Sequence, residues 1–480
     1  MRPITTSLVG LSALVSGLVS AQSSSCGPAP SNGIRPSIAS GYTYQVVATG
    51  LAKPRGLILD QQGNLLVVEA DRGVISSHEI VEQNGCVSIG RSSDITDQLE
   101  LNHGIELSAD GRTLYGSSAD NLYSWTYDGA ARSTSDQTIH INNMTGTDHS
   151  TRTLLLSQQE PGMIVVSKGS LSNIDILATD ITSGSSQVKA FNLTNSTSPY
   201  DYNAEGLVLG WGLRNEVGIG EHPNSGGIWG VENSADQMNR MGVDIHEDNP
   251  AEKLNFLGYL NGTASENQGG NFGYPWCFAA WEVEDLPDNG NLSVGSQFAI
   301  DASSASNNEN RTDEFCAEQV APRLVFQAHM APMDIKFNNS GREAWVTFRG
   351  SWNRDEPVGY KMSVVAFTEG GEPVADRDSM TAATDIFANE DLSRCPGNCM
   401  RLVGMAIDPQ GRIYVASDAS GEIYLVSRTD NSGTPAGSPT SSASASASAT
   451  GNAGHSLHPP TSGDSLGLFA SLLGLLLCWL

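Results

Sequence analysis

The stretch that decides the fold is Met400–Val426, MRLVGMAIDPQGRIYVASDASGEIYLV. It reads as an apolar strand, an Asp-Pro-Gln-Gly turn, a second apolar strand, an Asp-Ala-Ser-Gly turn and a third strand. Alternation at Met405/Ile407 and Ile413/Val415 has period two, and the turn residues stop each run. The same phrase recurs as RGLILDQQGNLLVVEADRG from Arg55 and NHGIELSADGRTLYGSSAD from Asn102. It returns as RNEVGIGEHPNSGGIWGVENSAD from Arg214 and HMAPMDIKFNNSGREAWVTFRGSWN from His329, with a weaker copy, HSTRTLLLSQQEPGMIVVSKGS, from His149. Repeats of roughly 40–50 residues that each carry several strands indicate one propeller blade per copy. The expected fold is all-β, a six-bladed β-propeller.

A cationic or ring-nitrogen residue stands before or at the first strand of every copy: Arg55, His103, His149, Arg214, His329 and Arg401. Superposed copies place these residues at one end of each blade, around one axial funnel. Such residues also serve as local caps at strand entrances. The chain as a whole has a formal net charge of −27, so a basic ring at its axis points to a small bound polyanion. The same acidity argues against nucleic acid or an anionic membrane surface as partner.

The 480 residues, 39% of them apolar, suffice for one large propeller core. Residues 1–21 have Arg2, an apolar run from Leu8 to Val19 and a small-residue Val19-Ser20-Ala21 site, the pattern of a secretory signal peptide. The propeller domain is expected over 22–428. Residues 429–464 are rich in Ser, Thr, Ala, Gly and Pro, a stalk composition that builds no core. Residues 465–480 form a hydrophobic end that is short for a membrane span and has no basic anchor after it. Small residues at Asn452–Gly454, a polar spacer and that tail match a GPI-attachment signal. The expected location is therefore outside the cell, on the plasma membrane or cell wall, with membrane contact only through the lipid. Sequons at Asn143, Asn192, Asn195, Asn261, Asn291, Asn310 and Asn338 agree with the secreted route.

Cys478 lies in the tail, and the six remaining cysteines suit three disulfides in an oxidising compartment. Six cysteines allow 15 pairings, and the set expected among them is Cys26–Cys86, Cys277–Cys316 and Cys395–Cys399. The last pair lacks a matching second pair nearby for a zinc site. Between the fourth and fifth copies, Arg240–Val320 is a long insertion with an aromatic Asn271–Cys277 segment and an acidic run around Glu282–Asp288. Insertions of this length are usually functional, and an ordered lid loop over the funnel is expected. Tyr274 and Trp276 suit ligand stacking and core packing equally.

The runs GLRNEVG (212–218), IWGVENSAD (228–236), NFGYPWC (271–277), HMAPMDIKF (329–337) and AWVTFRGSWNR (344–354) resemble the glucose/sorbosone dehydrogenase superfamily, as does the IYVASDASGEIYLV end. The nearest likeness is to fungal pyrroloquinoline-quinone-dependent pyranose dehydrogenases, auxiliary activity family twelve, over roughly Gly41–Arg428. The resemblance implies a sugar dehydrogenase with pyrroloquinoline quinone and Ca²⁺ as cofactors. That quinone is flat and carries three carboxylates, which a funnel of Arg and His neutralises through charge-assisted contacts. Arg214 and Asn215 match the pair that faces the reactive carbonyl. Arg401, with Arg349 or Arg354, would face the carboxylates, Arg55 completes the basic ring, and Trp352 beside Asn353 would stack on the ring. The turn Glu232–Ala235 matches the calcium turn of the soluble glucose dehydrogenases, which makes Asn233, Ser234 and Ala235 the candidate ligands. Ser234 and Ala235 replace the glycine and proline of that pattern.

Oxidation of an aldose, pyranose or 2-keto-aldose needs a base for the hydroxyl proton and a group that stabilises charge on the quinone oxygen. The resemblance makes His103 the expected base, His329 its rival and Arg214 the electrostatic partner. No appended electron-transfer module is read in the chain, so the expected acceptor is external: a cytochrome, a copper polysaccharide oxygenase or a diffusible quinone. Two other classes stand beside this reading: a calcium-dependent lactonase-type hydrolase and a non-enzymatic cell-surface propeller. No glycine fingerprint for a nicotinamide or flavin precedes a helix.

Overall fold

A computed structural model describes residues 26–429 apart from 147, 195, 197 and 302–310. The leader, stalk, hydrophobic tail and the sequons at Asn195 and Asn310 lie outside the described residues. The six copies are six sheets, each built on four antiparallel strands and starting with an inner strand, with a short fifth strand added in parallel to blades 2 and 3. These inner strands are Pro54–Leu59, Ile105–Leu107, Leu154–Leu156, Glu216–Glu221, Pro332–Phe337 and Leu402–Ile407. They neighbour one another in sequence order, and the sixth meets the first. The described part is the expected six-bladed propeller.

Closure is made by the start of the domain. Tyr42–Ala48 pairs antiparallel with Glu422–Arg428, so the N-terminal strand is the outer strand of blade 6. A ring closed in this way leaves no seam between its first and last blades. Pro36–Ile38 adds a fifth strand to blade 5 by pairing with Ala383–Asn389. All three disulfides are the expected ones, and Cys26–Cys86 ties the entering chain to blade 1.

At the entrances of blades 1, 2 and 6 the inner strands approach so closely that only glycine fits. A Cβ on Gly404 would stand 2.2 Å from the Arg55 carbonyl oxygen, and one on Gly56 2.1 Å from that of His103. One on Gly104 would stand 2.3 Å from the carbonyl of Arg152, not His149. The residue of blade 3 in register with Arg55 and His103 is therefore Arg152, a correction to the repeat frame. Arg152 is fully buried, and its guanidinium donates to the carbonyls of Met144, His149 and Thr151. It is a structural cation.

The long insertion is only partly a lid. Glu252–Tyr259 is the third strand of blade 4, and Leu324–Phe326 is its fourth. Between them, Gly270–Asn271 extends blade 3, and Cys277–Ala279 pairs with Gln297–Ala299 as a separate ribbon. Tyr274, Trp276, Phe278, Leu286 and Phe298 form a satellite core there with Met238 and Ile245. Tyr274 and Trp276 are 1% and 6% exposed, so both are packing residues rather than stacking platforms.

Candidate active site

The entrances of blades 3, 4 and 5 and the start of the insertion enclose a cavity of about 150 Å³. Its walls include His149, Arg214, Asn215, Asn233, Ser234, Asp236, Glu252, His329, Trp352 and Asn353. A larger cavity of about 310 Å³ opens at the far ends of the inner strands. That one is mostly aliphatic, with Glu106 and Lys336 as its charged groups near the axis and Glu221 at its margin. Burial pushes the Glu106 carboxyl up to about 7. Three of the six entrance residues, His149, Arg214 and His329, line the smaller cavity, which is the candidate site.

Local bonds explain why the Arg-Asn and Glu-Asn runs occur together. The amide of Arg214 donates to Glu232 Oε1 (2.8 Å), and that of Asn233 donates to the Asn215 carbonyl (2.9 Å). The two strand ends are thus stitched into one rigid corner. Below it, Glu232 is paired with Lys253 at 3.1 Å, both 1% exposed. Buried charges persist when they are paired and hydrogen-bonded in this manner.

Asp236, which the reading of the turn stopped short of, is the hub of the site. Its carboxylate accepts from Asn353 Nδ2 (2.8 Å) and Arg214 Nη2 (3.3 Å), and stands 3.6 Å from His329 Nδ1. Burial alone would raise this carboxyl, but His329 and Arg214 more than offset that and hold it below the usual range. His329 shows the reciprocal effect. Burial would lower it, yet Asp236, Glu252 and the His246 carbonyl bring it above the usual histidine value. Its Nε2 faces the His246 carbonyl, which only accepts, so Nε2 carries a hydrogen and Nδ1, on the Asp236 side, is the basic atom.

Glu252 is the second residue that motif reading missed. Its carboxylate accepts from the amides of Ser234 (2.6 Å) and Ala331 (2.9 Å), so one buried group braces the turn and the histidine segment. Burial raises it to about 7. Its signal in the sequence is faint, because it enters from a strand inside the apparent lid. His329 and Ala331 have φ of 66° and 54°, a left-handed conformation that costs energy for non-glycine residues and clusters at functional sites.

The other expected residues divide. Trp352 lines the cavity and is 62% exposed, free to cover a ligand. Asn353 Oδ1 and Ser234 Oγ are buried without a partner among the described residues. Such orphaned polar atoms in a cavity wall mark a polar ligand's place. Gly350, at φ 90°, lets the Tyr360 ring lie where a Cβ would stand 2.4 Å away, and so sets the path of the Arg-Gly-Ser-Trp-Asn run.

Arg55, Arg349 and Arg401 form a neighbouring group. Arg55 Nη1 meets Asp418 Oδ2 at 2.7 Å, and Arg349 Nε meets the same carboxylate at 2.9 Å. Arg401 donates Nε and Nη2 to the carbonyls of Arg349 and Gly350, and Gly350 lines the cavity. Burial, with Arg349 adding to it, pulls the Arg401 guanidinium down to about 10.

His103 is not among the cavity's walls. It is 5% exposed with an unpartnered Nδ1, and burial with Arg55 and Lys336 holds it far below the usual histidine range. His149, pushed down to about 4 by burial and by Arg214, is a neutral wall. Arg354 turns away to Asp248 (3.1 Å) and the Glu356 carbonyl, which corrects its placement beside a cofactor carboxylate. Ala235 is fully buried in the satellite core and has only backbone to offer a metal. The carbonyls of Asn233 and Ser234 accept N–H groups of Arg214 (3.4 and 2.6 Å). Among the described residues there is no group of three His, Cys, Asp or Glu side chains able to hold a metal.

The model of a family described as TrAA12-like matches residues 36–429. The chain belongs to that family. A pyrroloquinoline quinone-dependent sugar dehydrogenase of Hypocrea jecorina (strain QM6a) is 43% identical over 84% of this chain and 91% of that protein. A calcium structure of the Trichoderma reesei family AA12 protein has a TM-score of 0.78 at 44% identity, covering 82% of this chain and 97% of that one. The holo pyranose dehydrogenase quinone domain of Coprinopsis cinerea has a TM-score of 0.76 at 35% identity, covering 84% and 99%.

Proposed function

We propose that this protein is a quinoprotein sugar dehydrogenase that oxidises an aldose or pyranose with pyrroloquinoline quinone. The observation that carries the reading is one cavity that joins Arg214, the His329–Asp236 pair, unpartnered Asn353 and Ser234 atoms and an exposed Trp352. These residues fit the quinone in kind. Trp352 supplies an aromatic face, Asn215 and Asn353 supply polar contacts, Arg214 supplies positive charge, and Arg349 and Arg401 stand behind the Gly350 wall for carboxylates. When bound, the quinone supplies a two-electron acceptor for the hydrogen on the sugar's carbinol carbon.

The protein's part is proton handling and electrostatics. His329 Nδ1 takes the proton of the sugar hydroxyl, since Nε2 is committed to His246. Asp236, 3.6 Å from Nδ1, stabilises the imidazolium that forms, while the His246 carbonyl on Nε2 orients the ring. Arg214 offers positive charge where negative charge develops. This assignment departs from the expectation that favoured His103.

Calcium belongs to the same reading. The carbonyls of Asn233 and Ser234 are oxygen donors of the kind calcium takes, but Arg214 occupies both. While that guanidinium is seated, the turn does not fit the ion, and no step of the chemistry above depends on it.

The deciding experiment adds the quinone and calcium to cofactor-free protein and follows dye-linked sugar oxidation. Activity is expected to appear and to be lost in chelator. A titration at micromolar protein with no quinone binding would overturn the assignment.

The reading extends to an enzyme outside the cell, held by a GPI lipid, that passes electrons to an external protein or diffusible quinone. Asn143, Asn192, Asn261 and Asn291 are exposed and open to glycosylation, and three disulfides suit an oxidising compartment. Phosphatidylinositol-specific phospholipase should release the protein from intact cells. Recovery of the Leu466–Leu480 peptide from the mature protein would sink the anchor.

A further inference from the structure

Arg214 is a completely engaged cation. Nε donates to the Asn173 carbonyl (3.1 Å), and Nη1 donates to the carbonyls of Ser234 (2.6 Å) and Asn233 (3.4 Å). Nη2 donates to Asn173 Oδ1 (2.8 Å) and Asp236 Oδ2 (3.3 Å). A guanidinium has five N–H groups and no acceptor, and here five contacts are made. The side chain is 5% exposed.

The oxygens around it are held by bonds that do not involve the guanidinium. Asn173 Oδ1 accepts from the Asp236 amide (2.9 Å), and the Asn173 carbonyl accepts from Tyr274 Oη (3.0 Å). Ser234 N is tied to Glu252 (2.6 Å) and Asp236 Oδ1 to Asn353 (2.8 Å). The cage therefore survives loss of the arginine charge. Carbonyls, an amide oxygen and one carboxylate on a braced frame are the donors a calcium ion uses. The two cations cannot share it, because positive charges a few ångströms apart in a buried site repel strongly.

We propose that Arg214 is the resident cation of the calcium cage, and that calcium binds the Asn233–Asp236 turn only by displacing this guanidinium into the cavity. The proposal rests on the quinone-and-calcium reading and adds a coupling to it. The displaced guanidinium faces the space where the quinone binds, so quinone and calcium favour each other's binding. By linkage the coupling is reciprocal.

The test is a calorimetric calcium titration without quinone on wild type, Arg214→Ala and Arg214→Lys. Arg214→Ala should bind calcium at least about tenfold more tightly than wild type, within the usual range of coupling between sites. Arg214→Lys, which keeps a cation, should remain weak. Millimolar guanidinium chloride, compared with equal sodium chloride, should weaken calcium binding to Arg214→Ala and leave wild type unaffected. A merely structural arginine would not respond to the free ion. Equal or weaker calcium binding by Arg214→Ala, or indifference to guanidinium, overturns the proposal.

Should Arg214→Ala not fold, wild type still decides. Its slowly exchanging Arg214 Nε–H signal, identified by its loss in Arg214→Lys, should vanish as calcium is added, and persistence at saturation refutes displacement. A quinone titration of the same proteins separates the two ideas. Quinone binding with unaltered calcium affinity in Arg214→Ala keeps the dehydrogenase and rejects the resident cation. Failure to bind quinone at all removes both.

Discussion

Arg55 and Arg214 both stand at blade entrances, on blades 1 and 4, and their side chains are similarly buried at 8% and 5% exposed. Their charges are met differently. Arg55 faces Asp418, a carboxylate with no exposure, at 2.7 Å, and Arg349 shares it. Arg214 faces mostly neutral oxygens, with its one carboxylate more distant at 3.3 Å and 22% exposed. A cation neutralised by a buried carboxylate is committed to the fold, since separating the pair strands a charge in low dielectric. A cation held by carbonyl dipoles can be exchanged for another cation. Standing at a blade entrance therefore does not settle role; the counter-group does.

The sharpest way to break this comparison is through the two histidines. His329→Ala should lower turnover at saturating quinone by roughly 10²–10⁴, the worth of a positioned general base. His103→Ala, on the Arg55 side, should keep turnover near wild type. The reverse pattern would move the base to the closed side. pH separates the two as well. His329 has its value raised above 6.5, so it is protonated below that value and activity should rise with pH through a limb above 6.5. A base at His103, held far below 6.5, would keep activity constant well into acid.

The next largest effect falls on stability. Asp418→Asn leaves Arg55 and Arg349 uncompensated and should cost about 3–5 kcal/mol, the usual loss when one partner of a buried pair is removed. Burial alone would raise the Asp418 carboxyl, but the two arginines hold it below the usual range. Its contribution is present above the unfolded-state value and lost as pH falls through the lower folded-state value. Denaturant midpoints against pH should therefore fall less steeply in acid for Asp418→Asn. A variant as stable as wild type would show that the closed side is not a charge lock.

Arg401→Ala tests the boundary between the regions, because its carbonyl partner Gly350 lines the cavity. Quinone affinity should weaken by about 1.5–3 kcal/mol, as for one lost hydrogen bond to a charged group, with turnover at saturation unchanged. Normal affinity would place Arg401 wholly with Arg55. Trp352→Ala is the mildest change. An aromatic contact beyond area burial is worth about 0.5–1.5 kcal/mol, so quinone should bind several-fold more weakly. No change in a fluorescence titration would remove Trp352 from the site.

How much was legible follows from the range of each interaction. The blades could be read because period-two alternation and Asp-x-x-Gly turns are local, and six copies repeat the message. The link between the Arg214 and Glu232 runs was visible because they flank one hairpin of blade 4. Blade 4 as a whole was not, since its third strand, Glu252–Tyr259, lies inside what reads as a lid. Register within blade 3 was also hidden. His149 looks like a ring member, but the close approach of Gly104 to the Arg152 carbonyl makes Arg152 the true counterpart.

By itself the sequence determined the fold class, the blade number and the family, because each depends on repeated or contiguous residues, whereas two of the three cysteine pairs span 60 and 39 residues and were settled by the fold. Only the tertiary structure decided which cations are spent and which are available. Asn173 reaches Asp236 across 63 residues, Glu252 reaches Ala331 across 79, and Asp418 reaches Arg55 across 363. A buried charge takes its character from the nearest counter-group, and closure of the ring brings those groups together from blades far apart in the chain.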